Sequence, residues 1–204
     1  MIIIKDHEKP IKKDNIRFCI NYRNINVLTM PDNYPIPDIH QLLETFAGKK
    51  YFTKLDLTSG YWQVFLLEFE KHMTAFITKW GLYEYNRLPF GLRNAPAAFQ
   101  RLMNTLFKDQ IKRRMCRVYL DDIIIASVTI EEYTKDVLEI LQILRNKGWT
   151  IKISKCEFFV TEIKFLGHVI SDKGISIDPD KVKAIRELRR PTDVKAIMRF
   201  LGSI

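Results

Sequence analysis

The chain has 204 residues, 47% of them hydrophobic, which is enough for one large domain or two small ones with a packed core and excludes a disordered tail. Lysine and arginine number 33 against 24 aspartate and glutamate, and the resulting net charge of +9 and pI of about 9.4 point to a polyanionic partner, nucleic acid ahead of a membrane surface. No apolar run approaches the ~20 residues that span a bilayer, and Met1 to Lys5 is too short for a signal peptide, so the expected location is intracellular, with no membrane partner.

Residues 5 to 24 form a basic arm carrying Lys5, Lys9, Lys12, Lys13, Arg17 and Arg23, around an alternating segment, Arg17 to Tyr22, that reads as a strand. After Pro31, Pro35 and Pro37, Ile39, Leu42, Leu43 and Phe46 recur at helical spacing, with Gly48 as the stop. Tyr51 to Leu55 and Trp62 to Leu67 read as strands separated by Asp56, Leu57, Thr58, Ser59 and Gly60. Met73 to Thr78 and Leu82 to Tyr85 predict a hairpin about Trp80 and Gly81. A helix follows Asn94 and Pro96, with Phe99, Leu102, Met103, Leu106 and Phe107 on one face.

The apolar run Val118 to Ala126 is broken by Asp121 and Asp122, so two short strands are expected with the acids at the turn between them. Thr129 and Glu132 have capping-box spacing, and Tyr133, Val137, Ile140, Leu141 and Leu144 continue a helix to Gly148. Strands are predicted at Thr150 to Ile153, Glu157 to Val160 and Lys164 to Ile170, then a helix from Asp178 and Pro179 that ends before Pro191, with Thr192 capping another. Strands and helices mix without strict βαβ alternation, which favours an α+β fold with a largely antiparallel sheet. Cys19, Cys116 and Cys156 lack Cys-x-x-Cys spacing, and His7, His40, His72 and His168 are scattered, so reduced thiols are expected and zinc is not.

An isolated Asp-Asp pair usually marks a solvated turn. Here a third acid, Asp56, closes the apolar strand Tyr51 to Leu55, and three carboxylates at strand ends suit two oxygen-liganded Mg²⁺ ions. Repulsion among the three acids would be relieved by metal. That combination predicts phosphoryl or nucleotidyl transfer and by itself also fits a nuclease.

Ordered motifs extend the reading: Arg17, Phe18, Cys19, Tyr22, Arg23, Asn26 and Leu28; Tyr34 and Pro35; Lys54 to Leu57 with Ser59, Gly60, Tyr61 and Gln63; Lys71, Thr74, Ala75 and Phe76. Pro89 to Leu92, Asn94 to Pro96, Phe99 and Gln100, Tyr119 to Asp122, Ser154 to Cys156 with Phe158, Phe165 to His168, and Asp178, Pro179 and Lys181 complete the series. Over about nine tenths of its length the chain resembles the reverse transcriptase domain of long-terminal-repeat retrotransposons of the Ty3/gypsy type, part of a Pol polyprotein. Two positions depart from the family pattern: Asn15 stands where the family has glycine, and Asn21 where it has an acid.

The resemblance implies a right-handed polymerase fold with fingers, palm and a truncated thumb. Residues 5–50 and 62–95 would be mainly fingers, 51–61 and 96–160 mainly palm, and 161–204 the end of the palm and the start of thumb or connection. It implies RNA-directed DNA polymerase activity with Mg²⁺, two ions, or Mn²⁺ as substitute, held by Asp56, Asp121, Asp122 and the carbonyl of Leu57. Nucleotide binding would fall to Lys13, Arg17, Gly60, Tyr61, Phe90 and Gly91, with Tyr61 excluding a ribose 2′-hydroxyl. Nucleic-acid contacts would involve Arg23, Asn26, Tyr119, Leu120, Gly167 and His168, and the clusters Lys112 to Arg114 and Arg186 to Arg190 could track phosphates. The implied partners are an RNA or DNA template, a DNA primer and deoxynucleotides, with ribonuclease H and integrase absent from this chain. The competing expectation is an inactive relic that only binds nucleic acid.

Overall fold

A computed structural model of the chain describes residues 2–5, 16–186 and 193–202. In chain order its elements begin with β1 (Ile2–Lys5), β2 (Ile16–Cys19), α1 (Arg23–Leu28), α2 (Ile39–Glu44) and β3 (Tyr51–Asp56). Next come β4 (Phe76–Thr78), β5 (Gly81–Tyr83), α3 (Ala95–Leu106), α4 (Lys108–Lys112), β6 (Cys116–Tyr119), β7 (Asp122–Ser127) and α5 (Ile130–Asn146). The chain continues through β8 (Glu157–Val160), β9 (Glu162–Phe165), β10 (His168–Ser171), β11 (Gly174–Ile177), α6 (Pro179–Arg186) and α7 (Val194–Leu201). Among the described residues no helix is long and apolar enough to cross a membrane.

The α+β architecture centres on a four-stranded antiparallel sheet in the order β6, β7, β3, β8. The period of two along a strand splits its side chains between two faces. Leu55, Cys116, Val118, Ile123 and Ile125 turn to one face, where Phe99 and Met103 of α3, Phe107 beyond it, and Tyr133, Val137, Ile140 and Leu144 of α5 bury them. Phe52, Ile124 and Ala126 turn to the other, covered by Leu42 and Leu43 of α2, by Phe46, and by Ile163, Phe165 and Ile170 of the β9–β10 hairpin.

Local chemistry explains the helix boundaries. Thr129 accepts a hydrogen bond from the Glu132 amide at 3.2 Å, and the Glu132 carboxylate accepts from the Val128 amide at 3.3 Å, which is the expected cap of α5 shifted by one residue on its return arm. Glu131 and Glu132 lie in the first turn, where the helix dipole favours anions. Asp38 caps α2 by accepting from the Gln41 amide at 3.0 Å, and Pro96 occupies the first turn of α3.

Five expected strands are corrected. The one expected over Met73 to Thr78 begins only at Phe76, because a 3₁₀ turn over Glu68–Thr74 precedes it. The strand expected over Arg17 to Tyr22 ends at Cys19, and Tyr22, buried and donating its hydroxyl to the Thr74 carbonyl at 3.1 Å, leads into α1 instead. Trp62 to Leu67 is not a strand: Ser59 is left-handed at φ 49°, and the chain enters a 3₁₀ turn over Gly60–Gln63. Val64 and Leu66 then make a single backbone bridge, to Leu88 and Asn86. The Thr150 to Ile153 segment keeps one bridge, Ile151 to Leu57, before a 3₁₀ turn over Ile153–Lys155. Lys164 to Ile170 is broken by Leu166 and Gly167, both at positive φ, 50° and 77°, the conformation of a two-residue hairpin turn. The cap expected at Thr192 lies outside the described residues.

A buried hydroxyl network helps tie the sheet to α5. Tyr133 and Thr53 share a 2.6 Å hydrogen bond in the core, and the same tyrosine oxygen accepts from the Phe159 amide at 2.9 Å. Tyr133→Phe strips both partners of this oxygen in a buried setting. It should cost about 1–3 kcal/mol of unfolding free energy, read from the urea midpoint; an unchanged midpoint would mean that the network carries no stability.

Candidate active site

Antiparallel pairing of β3 with β7 sets Asp56 directly opposite Asp122, and pairing of β6 with β7 sets Tyr119 opposite Asp122. The three strand ends therefore meet at the Leu120–Asp121 turn. Leu120 is left-handed at φ 51°, a conformation that costs a branched side chain energy. The Leu57 amide donates to the Asp121 carbonyl at 3.3 Å, which closes the turn against the end of β3.

The acids do not share one environment. Lys54 lies two residues before Asp56 on the same strand face, and its ammonium is 3.4 Å from the Asp122 carboxylate. Lys155 approaches Asp56 to 3.6 Å. Burial pushes the Asp122 carboxyl above its ordinary pKa, Lys54 pulls it back, and the charge of Asp56 raises it again. Asp121 turns elsewhere: its Oδ1 is buried over Gly60, at 2.2 Å from where a Cβ on that glycine would lie, with Phe99 Cζ 2.9 Å from the same point.

Gly60 leads to Tyr61, whose ring lies 5.1 Å from Phe90 and 5.1 Å from Phe99. Burial, helped by the charge of Asp121, pushes the Tyr61 hydroxyl up to about 12. Of the four aromatic and glycine positions expected to bind nucleotide, Gly60 and Tyr61 thus adjoin the Asp121 carboxylate, and Phe90 packs on Tyr61. The fourth, Gly91, adopts φ 97° and abuts the Ile20 carbonyl and the Tyr22 ring, each 3.6 Å from where its Cβ would lie.

Other expected site residues lie apart. Asn26 spends its amide on the loop after Phe90, donating to the Gly91 carbonyl and accepting from the Arg93 amide, both at 2.8 Å. Arg23 is exposed at the start of α1. Gly167 ends the β9–β10 turn and His168 opens β10, joined to the acids indirectly: Phe165 meets the Tyr119 ring edge-on at 6.5 Å. The His168 ring nitrogen bonds the Leu166 carbonyl at 3.1 Å. Arg17 is placed by its backbone in β2 opposite Ile4, and Lys13 lies outside the described residues.

Several neighbours of the acids carried no role in the sequence reading. Lys54 was legible in principle, because residues i and i+2 of a strand share a face. Lys155 and Cys156 were not, since they lie about 100 residues from Asp56. The Cys156 sulfur nevertheless accepts from the Asp56 amide at 3.4 Å, and the Lys152 amide donates to the Asp56 carbonyl at 2.8 Å. Gln100 of α3 bonds the backbone on both sides of Tyr119.

The donors Asp56, Asp122 and the Leu57 carbonyl are hard oxygens that suit Mg²⁺, and the two ammonium groups beside the acids show that the cluster attracts cations. Among the described residues, however, no three His, Cys, Asp or Glu side chains converge to hold a metal ion. The donor chemistry fits, with the third carboxylate, Asp121, at the adjoining turn over Gly60.

Residues 4–170 match the family model described as reverse transcriptase (RNA-dependent DNA polymerase). The chain is 41% identical over 200 residues to a retrovirus-related Pol polyprotein from transposon opus of Drosophila melanogaster, covering 98% of this chain and 20% of that protein. It is 39% identical over 188 residues to the Pol polyprotein from transposon gypsy of the same organism, covering 92% and 18%, and 35% identical over 195 residues to the transposon Tf2-3 polyprotein of Schizosaccharomyces pombe, covering 96% and 15%. The chain thus spans a fifth or less of the length of these relatives. Among solved structures it is similar to a foamy viral protease-reverse transcriptase in complex with double-stranded DNA, with TM-score 0.85 and 25% identity over 96% of this chain and 34% of that one. A foamy viral protease-reverse transcriptase in complex with an RNA/DNA hybrid gives TM-score 0.81 and 26% identity over 94% and 26%.

Gly60→Ala places a methyl group 2.2 Å from Asp121 Oδ1. The overlap should cost about 1–3 kcal/mol of stability, measured by denaturant melting beside Ala97→Gly as a control for small-residue changes. A Gly60→Ala chain as stable as the parent would mean that the Asp121 carboxylate moves aside without cost.

Proposed function

The chain belongs to the reverse transcriptase (RNA-dependent DNA polymerase) family, and on that premise we propose that it supplies the RNA-directed DNA polymerase of a retrotransposon Pol polyprotein. The observation that carries this reading is the placement of Asp56 opposite Asp122, with Asp121 at the adjoining turn near Tyr61, whose ring packs on Phe90. A nuclease needs the acids and has no use for that aromatic floor.

In this proposal Asp56, Asp121, Asp122 and the Leu57 carbonyl hold two Mg²⁺ ions, or Mn²⁺ in their place. Bound there, the metal lowers the pKa of the primer 3′-hydroxyl and neutralises the leaving pyrophosphate. The protein's own contribution is orientation. Tyr61, held between Phe90 and Phe99, forms a rigid floor under the deoxyribose, and its ring fills the space a 2′-hydroxyl would need. Gly60 and Gly91 keep that floor open to the backbone of the nucleotide. Lys13 and Arg17 grip the triphosphate, where a guanidinium gives paired hydrogen bonds to phosphate oxygens.

Tyr119 and Leu120, with Gly167 and His168 from the facing hairpin, support the primer end; the contact of Tyr119 with Phe165 couples the two turns. In this reading Arg23 contacts the template strand, and Asn26 acts by fixing the Gly91 loop. Residues 51–61 and 96–160 serve as palm, and 62–95 with the preceding arm as fingers. Lys54 and Lys155 neutralise the acids and yield them when a stronger cation arrives. The net charge of +9 draws in template and primer, so binding weakens steeply with salt.

Primer extension on an RNA template at low salt tests the reading. The parent chain should extend a DNA primer with Mg²⁺, chelation should abolish extension, and Asp121→Asn should lower turnover by about 10²-fold or more. Tyr61→Ala should raise ribonucleotide incorporation relative to deoxyribonucleotide. A folded parent chain that binds primer-template and never extends it would reduce the function to nucleic-acid binding.

A further inference from the structure

β6 is the edge strand of the central sheet, and an edge leaves backbone donors and acceptors unclaimed. Across Tyr119, those groups are the Val118 carbonyl and the Leu120 amide. Both are claimed by one side chain: the Gln100 amide donates to the Val118 carbonyl at 3.0 Å and its oxygen accepts from the Leu120 amide at 2.8 Å. These are the two bonds that the backbone of an adjoining parallel strand would make across residue 119.

The side chain cannot be replaced by water or by its own flipped form. Gln100 is 0% exposed, and its second donor hydrogen goes to Asn104 Oδ1 at 3.0 Å. Flipping the amide would set its oxygen against the Val118 carbonyl and Asn104 Oδ1, and its nitrogen against the Leu120 amide. Asn104 is itself oriented, donating to the Tyr34 hydroxyl at 2.9 Å, and Tyr34 lies under the Arg101 guanidinium at 4.8 Å. The amide is therefore locked from behind.

We propose that Gln100 is a positioning residue for the Leu120–Asp121 turn: it holds Leu120 in its left-handed conformation and thereby aims the Asp121 carboxylate. Leu120 has no glycine-like freedom at φ 51°, so the surroundings must impose that angle. The bond from its amide to Gln100 is the restraint nearest the angle. Once it is lost, the backbone relaxes toward negative φ and Asp121 swings with it.

The role in turnover rests on the polymerase reading above; the restraint on the turn does not. Gln100→Leu keeps the size of the side chain and removes its polar atoms. In the isolated chain, hydrogen exchange at the Leu120 amide should accelerate about tenfold or more in this variant while amides within α5 keep their parent rates. In primer extension kcat should fall about 10- to 100-fold, the loss of one buried hydrogen bond at the reacting end, with KM for the deoxynucleotide within about twofold. Should Gln100→Leu fail to fold, Asn104→Ala, which removes one of the three bonds of Gln100, should move the same two quantities by smaller factors. Unchanged exchange at Leu120 overturns the restraint. Accelerated exchange with unchanged kcat overturns the positioning role, and a parent chain without synthesis overturns the polymerase reading while the exchange result still decides the restraint.

Discussion

Asp56 and Asp122 stand as direct cross-strand partners in the β3–β7 ladder, a placement that works against folding. Like charges opposite one another repel, and partial burial removes the water that would screen them. The cost is offset by Lys54 on the same strand and by Lys155 from the far side of the sheet. A side chain such as threonine at either position would give a quieter ladder. The rest of the molecule keeps these two acids in place despite their repulsion, the pattern expected where a protein departs from local consistency at a working site.

Holding them takes a rigid sheet, and its rigidity comes from two unequal coverings. One face is sealed by α3 and α5, whose Phe99, Met103, Ile140 and Leu144 are almost wholly buried. The other is closed by the short α2 and the β9–β10 hairpin, and it carries Lys54, Asp56, Tyr119 and Asp122. Asp122 and Asp121, adjacent in sequence, serve different surroundings: the first lies against Lys54 and the second over Gly60 near Phe99. Helix α3 joins these surroundings. Phe99 supports Tyr61 while its neighbour Gln100 bonds the backbone of the acid turn, so one helix orients both the aromatic floor and the carboxylate.

Backbone strain gathers in the same region. Ser59 follows Asp56 at φ 49°, Leu120 precedes Asp121 at φ 51°, and Leu166 opens the facing hairpin turn at φ 50°. Each is a residue with a side chain in a conformation better suited to glycine. Strain of this kind persists only where neighbours over-determine it. The neighbours here are a 3₁₀ turn, a buried amide and a ladder with its own glycine at 77°.

Much of this was legible in the sequence because it is local. Helical spacing located α2, α3 and α5, Thr129 with Glu132 located the start of α5, and the acids interrupting Val118 to Ala126 placed a turn where β6 meets β7. The ordered motifs carried the family. What tertiary structure alone decided are contacts between distant segments: the register that pairs Asp56 with Asp122, the approach of Lys155 and Cys156 to a strand end about 100 residues earlier, and the fit of Gln100 to the edge of β6. It also broke the strands expected at Trp62 to Leu67 and Lys164 to Ile170. Periodicity reports which side of an element is apolar. It holds no information on which polar atom of another element will meet a given backbone group, because that depends on how the helices and strands pack.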